Sequence, residues 1–280
     1  MVENRPIFTF FAHLTLILGV IIVVFPIYVA FIASTQGSSS FLSGVVPMLP
    51  AGHMIENYRT ILDSGFAASA PVWRMLVNSF VMALGITVGK IAISIISAFA
   101  IVYFRFPFRT LAFWVIFVTL MLPVEVRILP TYSVAAGLNL LNSYAGLILP
   151  VIASATATFL FRQFFMTIPD ELLEAAMLDN AGPLKFFKDI VLPLSRTNIA
   201  ALFVILFIYG WNQYLWPLVI TTNQNMTTVV VGIQQMVNSA DSDPRWQLVM
   251  GTSILALLPP VLVVIFFQRW FIKGLTEPEK

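Results

Sequence analysis

The stretch Met166 to Thr197 reads MTIPDELLEAAMLDNAGPLKFFKDIVLPLSRT, and long apolar runs flank it on both sides. Unlike them it is charged and punctuated. Thr167 suits an N-cap, Pro169 a helix's first turn, and Asp170 and Glu171 the positive end of the helix dipole. Leu172, Leu173, Ala176 and Met177 then share one helical face, with Glu174 on the other side. The run Asp179-Asn180-Ala181-Gly182 predicts a turn, because Asn accepts a positive φ better than most residues. Pro183 opens a second short helix in which Leu184 and Phe187 share a face opposite Lys185 and Lys188, and Pro193 closes it. A plain connection needs no such caps and stops. The spacing predicts two short helices forming a compact knob.

Working outward, the flanks set the solvent. The chain has 280 residues, of which 59% are hydrophobic and 10% charged, against about 25% charged in ordinary soluble domains. Too few charges remain to solvate a globule, so lipid takes the place of water over most of the surface. A spanning helix needs about 20 mostly apolar residues. Six stretches qualify, at about Leu14 to Ser34, Leu76 to Phe104, Thr110 to Pro130, Tyr144 to Phe165, Asn198 to Ile220 and Trp246 to Gln268. The expectation is an all-α, polytopic integral membrane protein of six transmembrane helices, one transmembrane domain over residues 1–280. The first apolar run exceeds the roughly 7–15 residues of a signal peptide and reads as a retained helix.

Orientation follows from the basic residues. One side collects Arg5, Arg105, Arg109, Arg162, Lys185, Lys188, Arg196, Arg269, Lys273 and Lys280; the other has Arg59, Arg74, Arg127 and Arg245. Both termini and the knob are therefore expected in the cytoplasm. Residues 35–73, with a short amphipathic piece around Met54 to Leu62, and residues 221–245 read as outer segments, either solvated loops or contacts for an external partner. Net charge is +2, which implies no nucleic-acid surface. With no Cys and two separated histidines, His13 and His53, neither a disulfide nor a metal site is expected. No hydrolytic constellation can be read, so the chain is not expected to be an enzyme.

A family resemblance now enters. Glu174-Ala175-Ala176, then Asn180, then Ile190-Val191-Leu192-Pro193 resembles the EAA motif of permease subunits of bacterial binding-protein-dependent ABC importers. In that family a Gly stands where this chain has Asn180, and the spacing is otherwise kept. Met121-Leu122-Pro123, Tyr144 to Pro150, Phe159 to Gln163 and Tyr209-Gly210-Trp211-Asn212 are similar to the sugar and polyol branch. The runs LMLPVEVRI and FLFRQFFMT-PDEL are most similar to permeases for sn-glycerol 3-phosphate.

The resemblance implies the type I importer permease fold, in the bacterial inner membrane. It implies that residues 166–197 form a coupling loop docking on an ATPase subunit. Glu174 would make the polar contact, Ala175 and Ala176 would allow close approach, Asn180 would occupy the turn, and Ile190, Leu192 and Pro193 would complete the motif. It also implies a second permease as heterodimer partner, two ATPase copies carrying ATP and Mg, and an extracytoplasmic solute-binding protein. The chain itself would bind no cofactor. The implied substrate is sn-glycerol 3-phosphate with related glycerophosphodiesters. A neutral sugar or polyol is the alternative, and an ion-coupled secondary transporter or a non-transporting scaffold is a more distant one.

Polar residues inside spans are functional candidates in their own right. Glu125 and Arg127 follow Pro123. Arg127 either contacts an anionic substrate or sits in an interfacial pair. Lys90 follows Gly85 and Gly89, a small-residue packing pattern, and reads either as a snorkelling or paired cation or as a substrate contact. Leu84 and Ile91 occupy positions where a P-loop needs Gly and Ser or Thr, so no ATP site is formed. Trp211, Asn212 and Gln213, with Tyr209, Tyr214 and Trp216 nearby, either wall a solute pocket or belong to an interfacial aromatic belt.

Overall fold

The computed structural model describes residues 6–41, 47–63, 70–239 and 245–276, and every regular element among them is helical. In chain order these are α1 (Pro6–Ser34), α2 (Met54–Asp63), α3 (Val72–Tyr103), α4 (Arg109–Val118), α5 (Val124–Gly137), α6 (Tyr144–Ile148) and α7 (Ala155–Phe165). There follow α8 (Asp170–Leu178), α9 (Pro183–Phe186), α10 (Leu192–Leu194), α11 (Arg196–Trp211), α12 (Leu215–Ile220), α13 (Val229–Ser239) and α14 (Trp246–Thr276).

Among the described residues three helices are long and apolar enough to cross a membrane unbroken: α1, α3 and α14. Two further apolar helix pairs are bent at a short break and would each make one more span if the pair crosses as a unit. Tyr144–Val151 meets Ala155–Phe165 at 50°, and Pro183–Leu194 meets Arg196–Trp211 at 70°. Six spans were expected, the third of them broken at Pro123. The expected third span divides at Pro123, whose backbone is extended (φ −57, ψ 144). This leaves α4 with 10 residues and α5 with 14. At about 1.5 Å per residue neither crosses roughly 30 Å of hydrocarbon alone. The expected fifth span stops at Trp211 because Pro217 has no N–H to offer the Gln213 carbonyl and its ring would strike that carbonyl.

The chain divides into two compact units. The first comprises residues 1–74 and 232–258. From Ile7 to Phe25 the large apolar side chains of α1 are exposed, an arrangement stable only where lipid or another apolar surface surrounds the helix. At the far end of α1 the segment expected to be a solvated loop is tied down. Asn57, on α2, donates from Nδ2 to the Ser34 carbonyl at 2.9 Å and the Gln36 carbonyl at 2.8 Å. The Ala51 N–H meets Thr35 Oγ1 at 3.0 Å. Helix α2 lies close on α14, since a Cβ at Gly251 would come within 2.5 Å of Ile61 Cδ1.

The second unit comprises residues 75–231 and 259–280, and α3 is its spine. Gly85 and Gly89 of α3 form the groove their spacing predicts: a Cβ there would lie 2.5 Å from Ile148 Cδ1 and 2.6 Å from Ile152 Cγ2. Without a hydrophobic drive in lipid, such close approach is how apolar helices associate. Gly210 brings α11 equally near, with its Cβ position 2.9 Å from Ala83 Cα. Around these contacts sits a cluster of Met82, Ile86, Ala135, Leu147, Trp216 and Ile220. Trp216 is 3% exposed and donates from its indole to the Gly146 carbonyl at 3.1 Å; it is a core residue and not part of an aromatic belt. The second outer segment is also more ordered than a loop. Asn78 Nδ2 donates to the carbonyls of Asn225 and Thr227, each at 2.9 Å, and Ser79 Oγ receives the Val229 N–H at 2.8 Å where α13 begins.

Candidate functional site

The knob forms as two short helices, with details that differ from the sequence reading. Helix α8 begins at Asp170 with Pro169 as its N-cap residue, and Asp170 and Glu171 occupy the first turn. Thr167 serves the preceding helix instead, donating from Oγ1 to the Phe164 carbonyl at 2.7 Å. The helix closes on Asn180, whose φ is 51°. The Asn180 N–H bonds the Met177 carbonyl at 3.1 Å, and the Ala181 N–H bonds the Ala176 carbonyl at 2.9 Å. These two bonds define a Schellman stop, which normally takes Gly at the left-handed residue. Asn is the side chain best suited to replace it.

Phe186 anchors the knob. It is 3% exposed, while Leu184, expected on the packed face, is 83% exposed. The rings of Phe186 and Tyr103 stand edge to face at 5.1 Å, and Phe187 lies 4.9 Å from Phe99. The two aromatics thus wedge between α8 and the end of α3. Adjacent phenylalanines flanked by Lys185 and Lys188 carried that signal, but a strict helical wheel assigns only one of them inward. The wheel fails because residues Phe187–Val191 are π-helical. Pro193, which lacks the N–H that would bond the Asp189 carbonyl, follows directly.

The motif's second half is packed through its middle residue. Val191 is fully buried, Ile190 half-buried and Leu192 exposed. Ala176, Phe186 and Val191 share one apolar cluster with Ile95, Ala98 and Phe99 of α3, Phe161 and Phe165 of α7, and Leu202 and Leu206 of α11. The knob is therefore continuous with three spans. On its outer side Glu174 and Ala175 are exposed, beside Met177, Leu178 and Leu184 at 64%, 84% and 83% exposure. This side of the knob thus exposes the Glu174 carboxylate and several large apolar side chains, a composition suited to a contact surface.

Arg127, Asn212 and Gln213 lie at or near helix breaks, whereas Lys90 lies within the unbroken α3. Arg127 is exposed on α5, one turn beyond the Pro123 break; the Glu125 side chain lies outside the described ones. Asn212 closes α11 and is exposed; Gln213, in the break before α12, donates from Nε2 to the Tyr209 carbonyl at 3.3 Å. Trp211 faces inward, 2% exposed, with its ring stacked on Phe207 at 5.9 Å. Lys90, 6% exposed, places Nζ 3.8 Å from the centre of the Tyr209 ring. Among the described residues no three His, Asp or Glu side chains gather as a metal site.

Residues 90–277 match the family described as binding-protein-dependent transport system inner membrane component, and the chain belongs to that family. It is a permease subunit of an ABC importer and not an enzyme, and ATP hydrolysis falls to a separate subunit. Membership implies a second permease, an ATPase and a solute-binding protein as partners, and the ion-coupled alternative falls.

The chain is 58% identical to the sn-glycerol-3-phosphate transport system permease protein UgpE of Brucella melitensis. It is 59% identical to the protein of that name from Agrobacterium fabrum and 57% to the one from Escherichia coli O157:H7, each match covering 100% of both chains. Among solved structures, a chain of a bacterial ABC transporter involved in the import of the acidic polysaccharide alginate superimposes with a TM-score of 0.79. That match covers 97% of this chain and 99% of the other at 19% identity, and it establishes the type I permease fold.

Proposed function

We propose that this chain forms half of the translocation path of an ATP-driven importer of sn-glycerol 3-phosphate and related glycerophosphodiesters. It pairs with a second, similar permease as a heterodimer. Two ATPase copies, which carry the ATP and Mg, dock on the inner knobs, and an extracytoplasmic binding protein delivers the solute. Both termini and the knob face the cytoplasm, as the distribution of basic residues supports, and residues 1–280 act as one permease domain.

The observation that carries the coupling role is the single apolar cluster joining Ala176, Phe186 and Val191 of the knob to α3, α7 and α11. Packed interiors transmit displacement because they have no slack. Closure of the ATPases against Glu174, Ala175 and the exposed apolar rim therefore moves the inner ends of three helices together. Ile190, Leu192 and Pro193 carry that motion through the 70° bend into α11. The access change is the rocking of packed helices about the path. Asn212 and Gln213, at the α11 break, offer amides to a hydroxylated solute; Arg127 offers a guanidinium to its phosphate; Trp211 fixes the end of α11 from the protein side. The substrate assignment draws on the names of relatives similar over their whole length.

The test is uptake of labelled sn-glycerol 3-phosphate by cells lacking every other route, with and without this chain. Unlabelled maltose serves as competitor, and ATP is depleted in parallel. Uptake that needs the chain, needs ATP and ignores maltose is the expected result. Absence of uptake with the complete importer present would remove the substrate, and a screen of neutral sugars and polyols would replace it.

A further inference from the structure

A groove between the start of α11 and the end of α14 is apolar along its floor and cationic at its mouth. It encloses about 410 Å³, and its lining includes Arg196, Thr197, Ile199, Phe203, Phe267 and Trp270. The floor is aromatic. The Phe203 and Phe267 rings stack at 4.9 Å with 26° between their planes, and Trp270 stands edge to face on Phe267 at 5.6 Å. At the mouth Arg196 is exposed, and Arg269 is exposed on the same turn of α14 as Trp270.

The depth of the groove follows from the helices that form it. Trp246 and Trp270 bound an unbroken apolar span of 25 residues, about 36 Å of helix. That length covers roughly 30 Å of hydrocarbon with a margin at each side. Trp270, 55% exposed, therefore stands at a membrane–water boundary, where indoles collect. Arg196 lines the same groove and shares that level. Phe203 lies seven residues further along α11, about 10 Å deeper. The groove thus runs from the headgroup level into the acyl region. Nearby, Ile205 and Phe266 are 50% and 76% exposed, so this stretch of both helices is made for an apolar solvent.

Charge selects the occupant. A guanidinium meets a phosphodiester bidentately, and an acyl chain lies well on stacked phenyl rings. Basic pockets between spanning helices take anionic headgroups in this way. A purely apolar partner would cover the floor and leave Arg196 unused, and a zwitterionic lipid would bring an amine to the cation along with its phosphate. We infer that this groove binds one anionic phospholipid, with its phosphate on Arg196, one acyl chain along Phe203 and Phe267, and the Trp270 indole beside its glycerol backbone. In the orientation proposed above the lipid belongs to the cytoplasmic leaflet. It joins the start of α11, directly after the 70° bend that leads from the knob, to the end of α14.

The experiment uses the complete importer, purified in mild detergent, washed of loosely held lipid and mixed with phosphatidylglycerol and phosphatidylcholine of identical acyl chains. Native mass spectrometry counts the lipids that stay bound. The parent is expected to retain phosphatidylglycerol in preference to phosphatidylcholine. Arg196→Gln should hold about fivefold less of it, the factor that one basic contact at an anionic surface supplies, and Arg196→Lys should stay within about twofold of the parent. A second readout leaves Arg196 in place. Phosphatidylglycerol brominated on its acyl chains should quench the Trp270 fluorescence, taken as the difference between the parent and Trp270→Phe, more than brominated phosphatidylcholine does. Equal retention of phosphatidylglycerol by the parent and Arg196→Gln would overturn the inference, as would equal retention of the two lipids by the parent. Quenching of Trp270 by neither lipid would mean that protein, such as the second permease, covers the groove, and the inference would fail.

Discussion

Removing the Phe186 ring should disconnect the knob without unfolding the spans. Phe186 is 3% exposed and packs edge to face on Tyr103 at 5.1 Å, with Phe99 at 6.3 Å. Deleting a buried Phe side chain to Ala costs about 3–5 kcal/mol where the site cannot collapse. Here the ring borders a cavity of about 350 Å³ that also touches Tyr103, Leu173, Ala176 and Pro183. The neighbours therefore have room to relax, and the lower end, about 3 kcal/mol, applies. At 1.4 kcal/mol per decade that is a shift of about 140-fold from the packed toward the loosened knob. The loss falls on the joint and not on the membrane-embedded cluster around Met82, so insertion and assembly are spared. In reconstituted importer, Phe186→Ala should lower uptake more than about tenfold while ATP is still bound and hydrolysed. Because Lys185 and Lys188 are exposed on either side, trypsin should cut the loosened knob faster than the parent's. Phe186→Leu, nearly conserving volume, should lose less than about 1.5 kcal/mol and stay coupled. Uptake by Phe186→Ala within twofold of the parent, with unaltered protection from trypsin, would refute the mechanical role of this ring.

Glu174→Lys reverses the charge of the exposed docking face and should abolish transport while the protein still reaches the membrane at parental levels; normal uptake would sink the docking role. Asn180→Gly should be tolerated at a φ of 51°, whereas Asn180→Val, a β-branched residue forced into the left-handed region, should cost about 1–3 kcal/mol and lower the melting temperature of the purified importer. Gly89→Val places methyls where Ile152 Cγ2 already stands 2.6 Å from the Cβ position; it should separate α3 from the broken fourth span and reduce the recovery of folded protein from membranes. Tyr209→Phe keeps the ring over Lys90 and should leave uptake near parental, whereas Tyr209→Leu should change it.

The knob was the most legible part of the chain, because each of its boundaries is written in residues with few conformational options. The two-helix plan and the Asn180 turn follow from punctuation and glycine substitutes; of the face read on α8, Leu173 and Ala176 turn inward, while Leu172 and Met177 are exposed. Phe186 was missed because a helical wheel turns only one of two adjacent phenylalanines inward, whereas here Phe186 packs on Tyr103 and Phe187 on Phe99. Among the spans, apolar length located α1, α3 and α14 well, since hydropathy needs no knowledge of neighbours. It located the bent ones poorly. A window of apolar residues does not distinguish a continuous helix from two pieces meeting at 50° or 70°. In the segment after α1 the amphipathic piece around Met54 to Leu62 was legible and forms α2; the tie that Asn57 makes to the Ser34 and Gln36 carbonyls was not, because composition cannot announce a partner distant in sequence.

The contrast between straight and broken helices bears on how force reaches the solute. Helix α3 is continuous from Val72 to Tyr103. Its C-terminal end is packed by Phe186 and Phe187, and Lys90 lies nine residues before Phe99, about 13 Å along the same axis. A continuous hydrogen-bonded helix has no joint in that interval, so displacement of the knob reaches Lys90 as displacement of the helix. The elements around Lys90 are of the other kind. The fourth span bends between Val151 and Ala155, α11 ends at Trp211, and the third span divides at Pro123. Broken backbone inside a membrane is stable only where protein or a water-lined cavity satisfies it. The chain thus sets a rigid strut bearing a cation against segments whose ends stop at membrane depth.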